Sequence, residues 1–513
     1  MPGLLRGTLT VGAMTLASRV LGFARDVVIA AVFGAGLGTD AFFVAFRIPN
    51  FLRRLFAEGA FAQAFVPVLA EWRERRGTRA VRELVAATAG TLGATLAVVS
   101  ALGALAAPLL VHVFAPGFAL RAEPGKAALA ADLLRLTFPY LLFVSLTALA
   151  GGVLNTFGRF AVPALTPALL NLSLIGAALW LAPRLERPVE ALAWGVFAAG
   201  AAQLAFQLPF LARLGLLARP RWGWRHPGVR RILRLMGPGV IGSSVAQVNL
   251  LIDTVIASFL VTGSVSWLYY ADRLVEFPLG VFGIALGTVA LPALSARHAA
   301  GDGAGFAATL DRALRWVALI ALPAALGLAL LAGPILASLF GYGAFGARDV
   351  EMSARALAAY ALGLPAFVLV KVLAPGYYAR QDTRTPVRVA LLAMGANTAL
   401  NLLLVVPLAH AGLALASSLS AWLNAGLLYR GLRRQGVLRH GDGWPRYGAQ
   451  LGLGLAALAA VLLAAGAPPE AWTASPWQAR AATLALWIAA GAGAYFGALW
   501  LAGWRPRAAA GGA

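Results

Sequence analysis

Apolar runs of about 20 residues recur along the whole chain, each long enough to cross a bilayer as a helix. Short polar blocks separate them. The pattern predicts about fourteen helical segments, at roughly 7–34, 40–70, 84–114, 129–157, 162–182, 189–215, 232–261, 265–296, 310–340, 350–379, 386–408, 411–433, 447–467 and 477–503. No polar block is large enough for a separate soluble domain. The expectation is an all-α polytopic membrane protein.

Arginine placement orients it. One set of connections holds Arg73, Arg75, Arg76, Arg79, Arg82 and Arg159, then Arg219, Arg221, Arg225, Arg230 and Arg231. The same set continues through Arg297, Arg312, Arg380, Arg384, Arg430, Arg433, Arg434 and Arg439 to Arg505 and Arg507. The alternate connections (AGLGTD, VTGS, LAHAG) are poor in basic residues. The positive-inside rule puts the basic set and both termini in the cytoplasm. A basic linker, LLARPRWGWRHPGVRR, falls near the middle of the first twelve segments. Around it runs a weak repeat. Thr166-Pro167 precedes Asn171 as Thr385-Pro386 precedes Asn397, and ALAWGVFAAG parallels GLALASSLSAW. A same-direction repeat predicts two six-helix lobes, 1–217 and 218–438, related by a pseudo-two-fold axis along the membrane normal. Residues 439–513 form an extra helix pair, expected to offer an apolar groove to a lipid chain.

Composition agrees. Of 513 residues, 60% are hydrophobic and 12% charged, against about 25% charged in soluble domains. There is no cysteine, which excludes disulfides and thiol chemistry. The formal charge of +22 is nearly all arginine, with Lys126 and Lys371 the only lysines. Because most arginines flank apolar segments, the charge reads as topology and not as nucleic-acid binding. The first apolar run carries Arg19 and Arg25 and lacks a small-residue cleavage site, so it is expected to remain as the first transmembrane helix.

Charges inside apolar segments mark candidate function, since each costs roughly 2.5–3.5 kcal/mol at mid-bilayer. They concentrate between Ser18 and Pro67. Arg19 and Asp26 are seven residues apart on one face, with Arg25 beside them. Gly34, Gly36 and Gly38 make a turn, and Asp40 is placed to cap the next helix. Pro49 should kink that helix beside Asn50, Arg53 and Arg54; Arg54 and Glu58 form an i,i+4 pair. Arg47 is expected nearer solvent. Arg19, Arg25, Arg53 and Arg54 outnumber Asp26 and Glu58, and surplus arginine in a cavity wants an anion, phosphate above all. The alternative is an internal ion pair that only packs helices. The eighth segment repeats the theme: Arg273 faces the cargo, while Asp272 and Glu276 orient it. Asp253, Asn397, Asn401 and Ser417 offer oxygen ligands for Na⁺. A proton on Asp253, or a plain interhelical hydrogen-bond cluster, explains them equally. Lys371 is an intramembrane charge with no evident partner.

Catalysis finds little support. No metal-ligand spacing among the five histidines, no P-loop and no nucleophile elbow is present. A glycosyltransferase would place acids in a sizeable outer loop, and the outer loops here are short. No enzyme activity is expected.

The stretches SRVLGFARD, TDAFFVAFRIPNFLRRLFAEGAFAQAFVP, YYADRLVEFPLGVFGIALGT and VKVLAPGYYARQDTRTPV resemble the MurJ (MviN) family of lipid II flippases, within the multidrug/oligosaccharidyl-lipid/polysaccharide exporter superfamily. The resemblance extends over the whole chain. It implies fourteen helices, two lobes and a final pair that grooves the polyprenyl tail. It implies lipid II as cargo, moved from the cytoplasmic to the outer leaflet of the inner membrane by alternating access. The family's essential cavity arginines correspond to Arg19, Arg25, Arg53 and Arg273. Its accompanying positions correspond to Ser18, Asp40, Asn50, Arg54, Glu58, Asp272 and Glu276. A sodium site would map to Asp253, Asn397, Asn401 and Ser417. A monomer is expected, with membrane lipids and cell-wall synthesis enzymes as partners. A flippase of another polyprenyl-linked glycan, or a membrane scaffold for cell-wall synthesis, are the alternatives; a scaffold leaves the buried arginines unexplained.

Overall fold

The computed structural model describes residues 2–54, 61–120, 123, 125–464 and 469–505. Among them there are helices and connections and no strand. In a bilayer this follows from backbone chemistry, because a helix satisfies its own N–H and C=O groups where water cannot. Nine helical runs among the described residues are long and apolar enough to cross a membrane. By packing, the chain divides into two compact units, residues 1–263 and 264–513.

The first unit holds α1 (Pro2–Phe33), α2 (Leu37–Leu52), α3 (Ala62–Leu105), α4 (Ala107–Phe114), α5 (Gly117–Leu120), α6 (Lys126–Thr137), α7 (Tyr140–Thr156), α8 (Ala161–Gly176), α9 (Glu190–Arg213) and α10 (Pro227–Ser258). Helix α1 ends at Gly34, whose φ of 64° makes the expected turn at a position that costs a glycine little. Gly38 lies inside α2 instead, against Val189. The α3 run shortens the expected connection: the basic block Arg73–Arg82 is helical on both sides of Gly77, whose φ of 74° breaks the run inside that connection. Its apolar side explains this, since Phe65, Leu69, Trp72 and Leu84 all enter a core shared with Val153, Leu154, Leu216 and Ile232. The linker before α10 lies directly on α3. A Cβ on Gly90 would stand 2.2 Å from the Arg221 carbonyl oxygen, and Arg221 N–H donates to Ala86 O.

The second unit holds α11 (Ser264–Pro278), α12 (Ile284–Ala299), α13 (Gly303–Leu330), α14 (Ala332–Leu339), α15 (Ala347–Ala361), α16 (Leu364–Tyr378), α17 (Arg384–Arg434), α18 (Trp444–Leu463), α19 (Pro469–Ala474) and α20 (Trp477–Leu501). Leu294, Phe306, Leu310, Tyr377, Leu428 and Leu432 form its main core. Helix α17 is a hairpin: Ala409 at φ 49°, ψ −129° reverses it, where the short LAHAG connection was expected. Helices α18 and α20 pack on each other.

Candidate functional site

Arg25 is 9% exposed and Asp26 2%. The guanidinium grips its neighbour twice, Nε donating at 2.9 Å and Nη2 at 2.5 Å to Asp26 Oδ1. Nη1 donates to Asn171 Oδ1 at 3.1 Å, and Asn171 Nδ2 donates to the Ser18 carbonyl at 3.0 Å. Gly22 lets α8 come this close, with Asn171 Nδ2 3.4 Å from where its Cβ would be. Asn171 is therefore the orienting residue that reasoning about charge overlooked; its place in the repeat was the available signal. Arg19 is exposed and Ser18 half-buried. The i,i+7 spacing does not join Arg19 to Asp26, because the adjacent Arg25 occupies that carboxylate.

Helix α2 continues through Pro49 to Leu52, and Arg53–Arg54 enter a wider π-type turn. Arg53 Nε donates to Asn50 Oδ1 at 2.8 Å. The buried Tyr140 has Arg53 and Arg25 as its charged neighbours, so both arginines serve one region of the unit. Glu58, the proposed partner of Arg54, lies outside the described residues. Arg47 is not a solvent residue: it is half-buried, and Nη1 donates to Thr254 Oγ1 at 2.6 Å. That places it on α10 beside Asp253, which is half-buried in the same helix.

Asp40 does not cap α2. Thr39 Oγ1 accepts the Gly36 N–H instead, at 2.8 Å. Asp40 is 1% exposed, and its Oδ2 accepts from Lys126 Nζ at 3.1 Å and from Gly263 N–H at 2.8 Å. Lys126 Nζ also donates to Thr262 Oγ1 at 2.7 Å and lies 3.3 Å from Glu123. One of the chain's two lysines thus ties α2, α6 and the turn after α10. A buried carboxylate needs such a partner, but nothing local in sequence points 86 residues ahead.

In the second unit, Arg273 Nη1 donates to Glu276 Oε2 at 2.6 Å, and its guanidinium lies over the Tyr269 ring at 4.9 Å. Glu276 is therefore the ion-pair partner of Arg273; Asp272 and Arg273 are both half-buried. Asn397 and Asn401 are fully buried on one face of α17. Ser417 is half-buried, and it is Ser418 whose hydroxyl is sequestered, donating to Ala359 O at 2.7 Å. Asp253 belongs to the first unit and Asn397, Asn401 and Ser417 to the second. Lys371 is exposed and lies within the apolar run Ala347–Tyr378.

A profile of the family described as lipid II flippase MurJ matches residues 29–475. A Vibrio cholerae protein named probable lipid II flippase MurJ is 48% identical over 507 residues, 98% of this chain and 97% of that one. A Burkholderia cenocepacia protein named lipid II flippase MurJ is 46% identical over 508 residues, 98% of each. Among solved structures, a lipid II flippase MurJ in an inward closed conformation superimposes with TM-score 0.77 at 24% identity, covering 96% of this chain and all of that one. An inward-facing multidrug resistance transporter of the MATE family gives 0.68 at 12%, covering 84% and 98%. Both share the fold.

Proposed function

This chain belongs to the lipid II flippase MurJ family, and from that premise we propose that it carries lipid II from the cytoplasmic to the outer leaflet by alternating access, without covalent chemistry. The observation that carries the reading is the Arg25 cluster, in which Asp26 and Asn171 fix a buried guanidinium within the family-like stretch SRVLGFARD. Such a group recognises a diphosphate through paired charge-assisted hydrogen bonds. Arg19, Arg53 and Arg273 complete the cargo contacts, with Ser18, Asn50, Arg54, Asp272 and Glu276 positioning them.

The reading extends to fourteen crossings with both termini cytoplasmic. The two reversed runs at Gly77 and Ala409 support that number. Lobes 1–217 and 218–438 rock about a midplane site, and the pair in 439–513 receives the polyprenyl tail. Membrane potential resets the carrier, and release of Na⁺ from Asp253, Asn397, Asn401 and Ser417 contributes. The working unit is a monomer in the inner membrane, beside the enzymes that make and use its cargo.

The test is lipid II translocation by purified protein in liposomes, with an imposed potential and with or without a sodium gradient. Transport of lipid II supports the reading, and its dependence on sodium supports the ion site. Folded protein that moves another polyprenyl-diphosphate glycan and leaves lipid II in place would overturn the cargo.

A further inference from the structure

A cavity of ≈ 1170 Å³ opens in the second unit where α12 meets α13, where α17 passes to α18, and where α20 ends. None of the candidate cargo residues lines it. Its floor is a finished ion pair. Asp311 is 7% exposed; Oδ1 accepts from Trp444 Nε1 at 2.6 Å and faces His440 Nδ1 at 3.1 Å. Oδ2 accepts from Arg315 Nε at 3.1 Å. Arg315 Nη2 donates to Asp442 O at 2.9 Å, and the guanidinium lies over Trp444 and Tyr447. Asp302, the other lining carboxylate, is held by Arg297 at 2.5 Å and by Gly305 N–H at 2.7 Å. Both acids are therefore already engaged.

Five further arginines line the cavity: Arg312, Arg380, Arg439, Arg446 and Arg505. Arg380 donates to the Gln435 side chain and Arg505 to the carbonyls of Trp500 and Trp504, all neutral acceptors. Arg312, Arg439 and Arg446 make no hydrogen bond or ion pair among the described residues. Even with the exposed Asp442 of the same turn, cationic groups are in excess. Guanidinium forks around a rigid floor match the tetrahedral oxygens of a phosphate. The cavity lies at the ends of three apolar runs, Gly303–Leu330, Trp444–Leu463 and Trp477–Leu501. Its rim carries Trp504, next to the exposed Trp500. Tryptophan and arginine at the end of an apolar helix mark the headgroup level of a bilayer.

We infer that this cavity is an anion site for a phosphate group, supplied by the headgroup of an anionic membrane lipid or by free phosphate. It is separate from the cargo site, and binding is its readout, so its failure would leave the flippase reading untouched.

The experiment titrates full-length purified protein in detergent with dioctanoyl phosphatidylglycerol, and separately with inorganic phosphate, and follows Tm. The comparison is wild type against Arg312→Gln, Arg446→Gln and the double variant. Arg355→Gln is the control for charge loss; Arg355 is exposed, pairs with Glu351 and does not line the cavity. The lipid should raise Tm saturably, with apparent affinity falling about tenfold for each cavity arginine removed and unchanged in the control. If phosphate alone reproduces this pattern through the same arginines, the site stands with the free anion as its ligand. Stabilisation that the cavity substitutions leave intact, or that the Arg355 control weakens equally, would overturn the site.

Discussion

Two arginines in this protein are about equally hidden and are held in opposite ways. Arg25 is 9% exposed and Arg480 7%. Arg25 has a carboxylate, Asp26, and a side-chain amide, Asn171, as partners. Arg480 has only backbone. Its Nε donates to Ser475 O at 2.7 Å, Nη2 to Thr473 O at 2.9 Å, and Nη1 to Ala337 O at 2.8 Å and Gly341 O at 2.7 Å. The face of its guanidinium lies 5.0 Å from the Tyr342 ring. Three of those carbonyls belong to helix ends or turns, where they have no intrahelical donor. Arg480 is thus a clasp that closes the end of α14 onto the start of α20. Arg25 is instead positioned by partners that balance its charge while leaving it in a polar region. Burial alone does not distinguish the two; the identity of the acceptors does.

The largest expected effect separates the two in transport. The double variant Arg25→Gln/Asp26→Asn removes both charges together and leaves polar groups in their place. A buried ion pair replaced whole is often close to neutral for stability, so Tm should hold within the equivalent of about 1 kcal/mol. Lipid II translocation should be abolished. If the double variant transports normally, the Arg25 cluster is packing, and the contrast with Arg480 disappears.

The converse variant, Arg480→Met, should fail in the opposite way. It removes the donor from four carbonyls, those of Ser475, Thr473, Ala337 and Gly341, and each one left unsatisfied costs about 1–3 kcal/mol. Unfolding in detergent should occur with at least about 3 kcal/mol less stability, and residual transport should track the folded fraction. A stable protein that has lost transport would make Arg480 a cargo residue and break the distinction.

Lys126 supplies an intermediate case: a buried cation with a buried acid, Asp40, but also a backbone donor and Thr262 in the same knot. Lys126→Met should cost about 3 kcal/mol by leaving Asp40 charged and under-partnered. Adding Asp40→Asn should recover much of that. Additive losses in a double-mutant cycle would show that the two side chains are not coupled.

The sequence predicted these elements unevenly, for physical reasons. Apolar length places helices such as Glu190–Arg213 and Trp477–Leu501 within a few residues of their expected spans. The α17 hairpin, too, breaks inside the short polar connection that hydropathy exposes. At Arg73–Arg82 the break, at Gly77, falls inside the expected connection, but helix extends further into it than hydropathy shows, because a run of arginines hides the buried positions Trp72 and Leu84 on either side of it. Arg25 and Arg273 were visible as charges in apolar segments. Lys126 and Arg480 are not, since Asp40 lies 86 residues from Lys126 and the acceptors of Arg480, two of them 139 and 143 residues away, are all main-chain atoms with no side-chain signature.

The smallest effect tests whether either arginine contributes to pH dependence. A guanidinium stays protonated throughout the physiological range, so neither Arg25 nor Arg480 should alter stability between about pH 7 and about pH 5. His226 should. It sits in the linker just before α10, with its ring 5.1 Å from Trp72. Burial holds its pKa below the ordinary histidine value of 6.5, and its Nδ1 is buried with no hydrogen-bond partner among the described residues. As pH falls, the unfolded chain takes up this proton before the folded one does. The contribution is therefore complete above the unfolded pKa and declines as pH drops towards the folded value. Tm should fall modestly on acidification in wild type and in Arg25→Gln/Asp26→Asn alike, and this component should vanish in His226→Phe. Should acidification affect wild type and His226→Phe identically, the sensitivity belongs to carboxylates, and the tight seating of the linker on α3 is not what sets it.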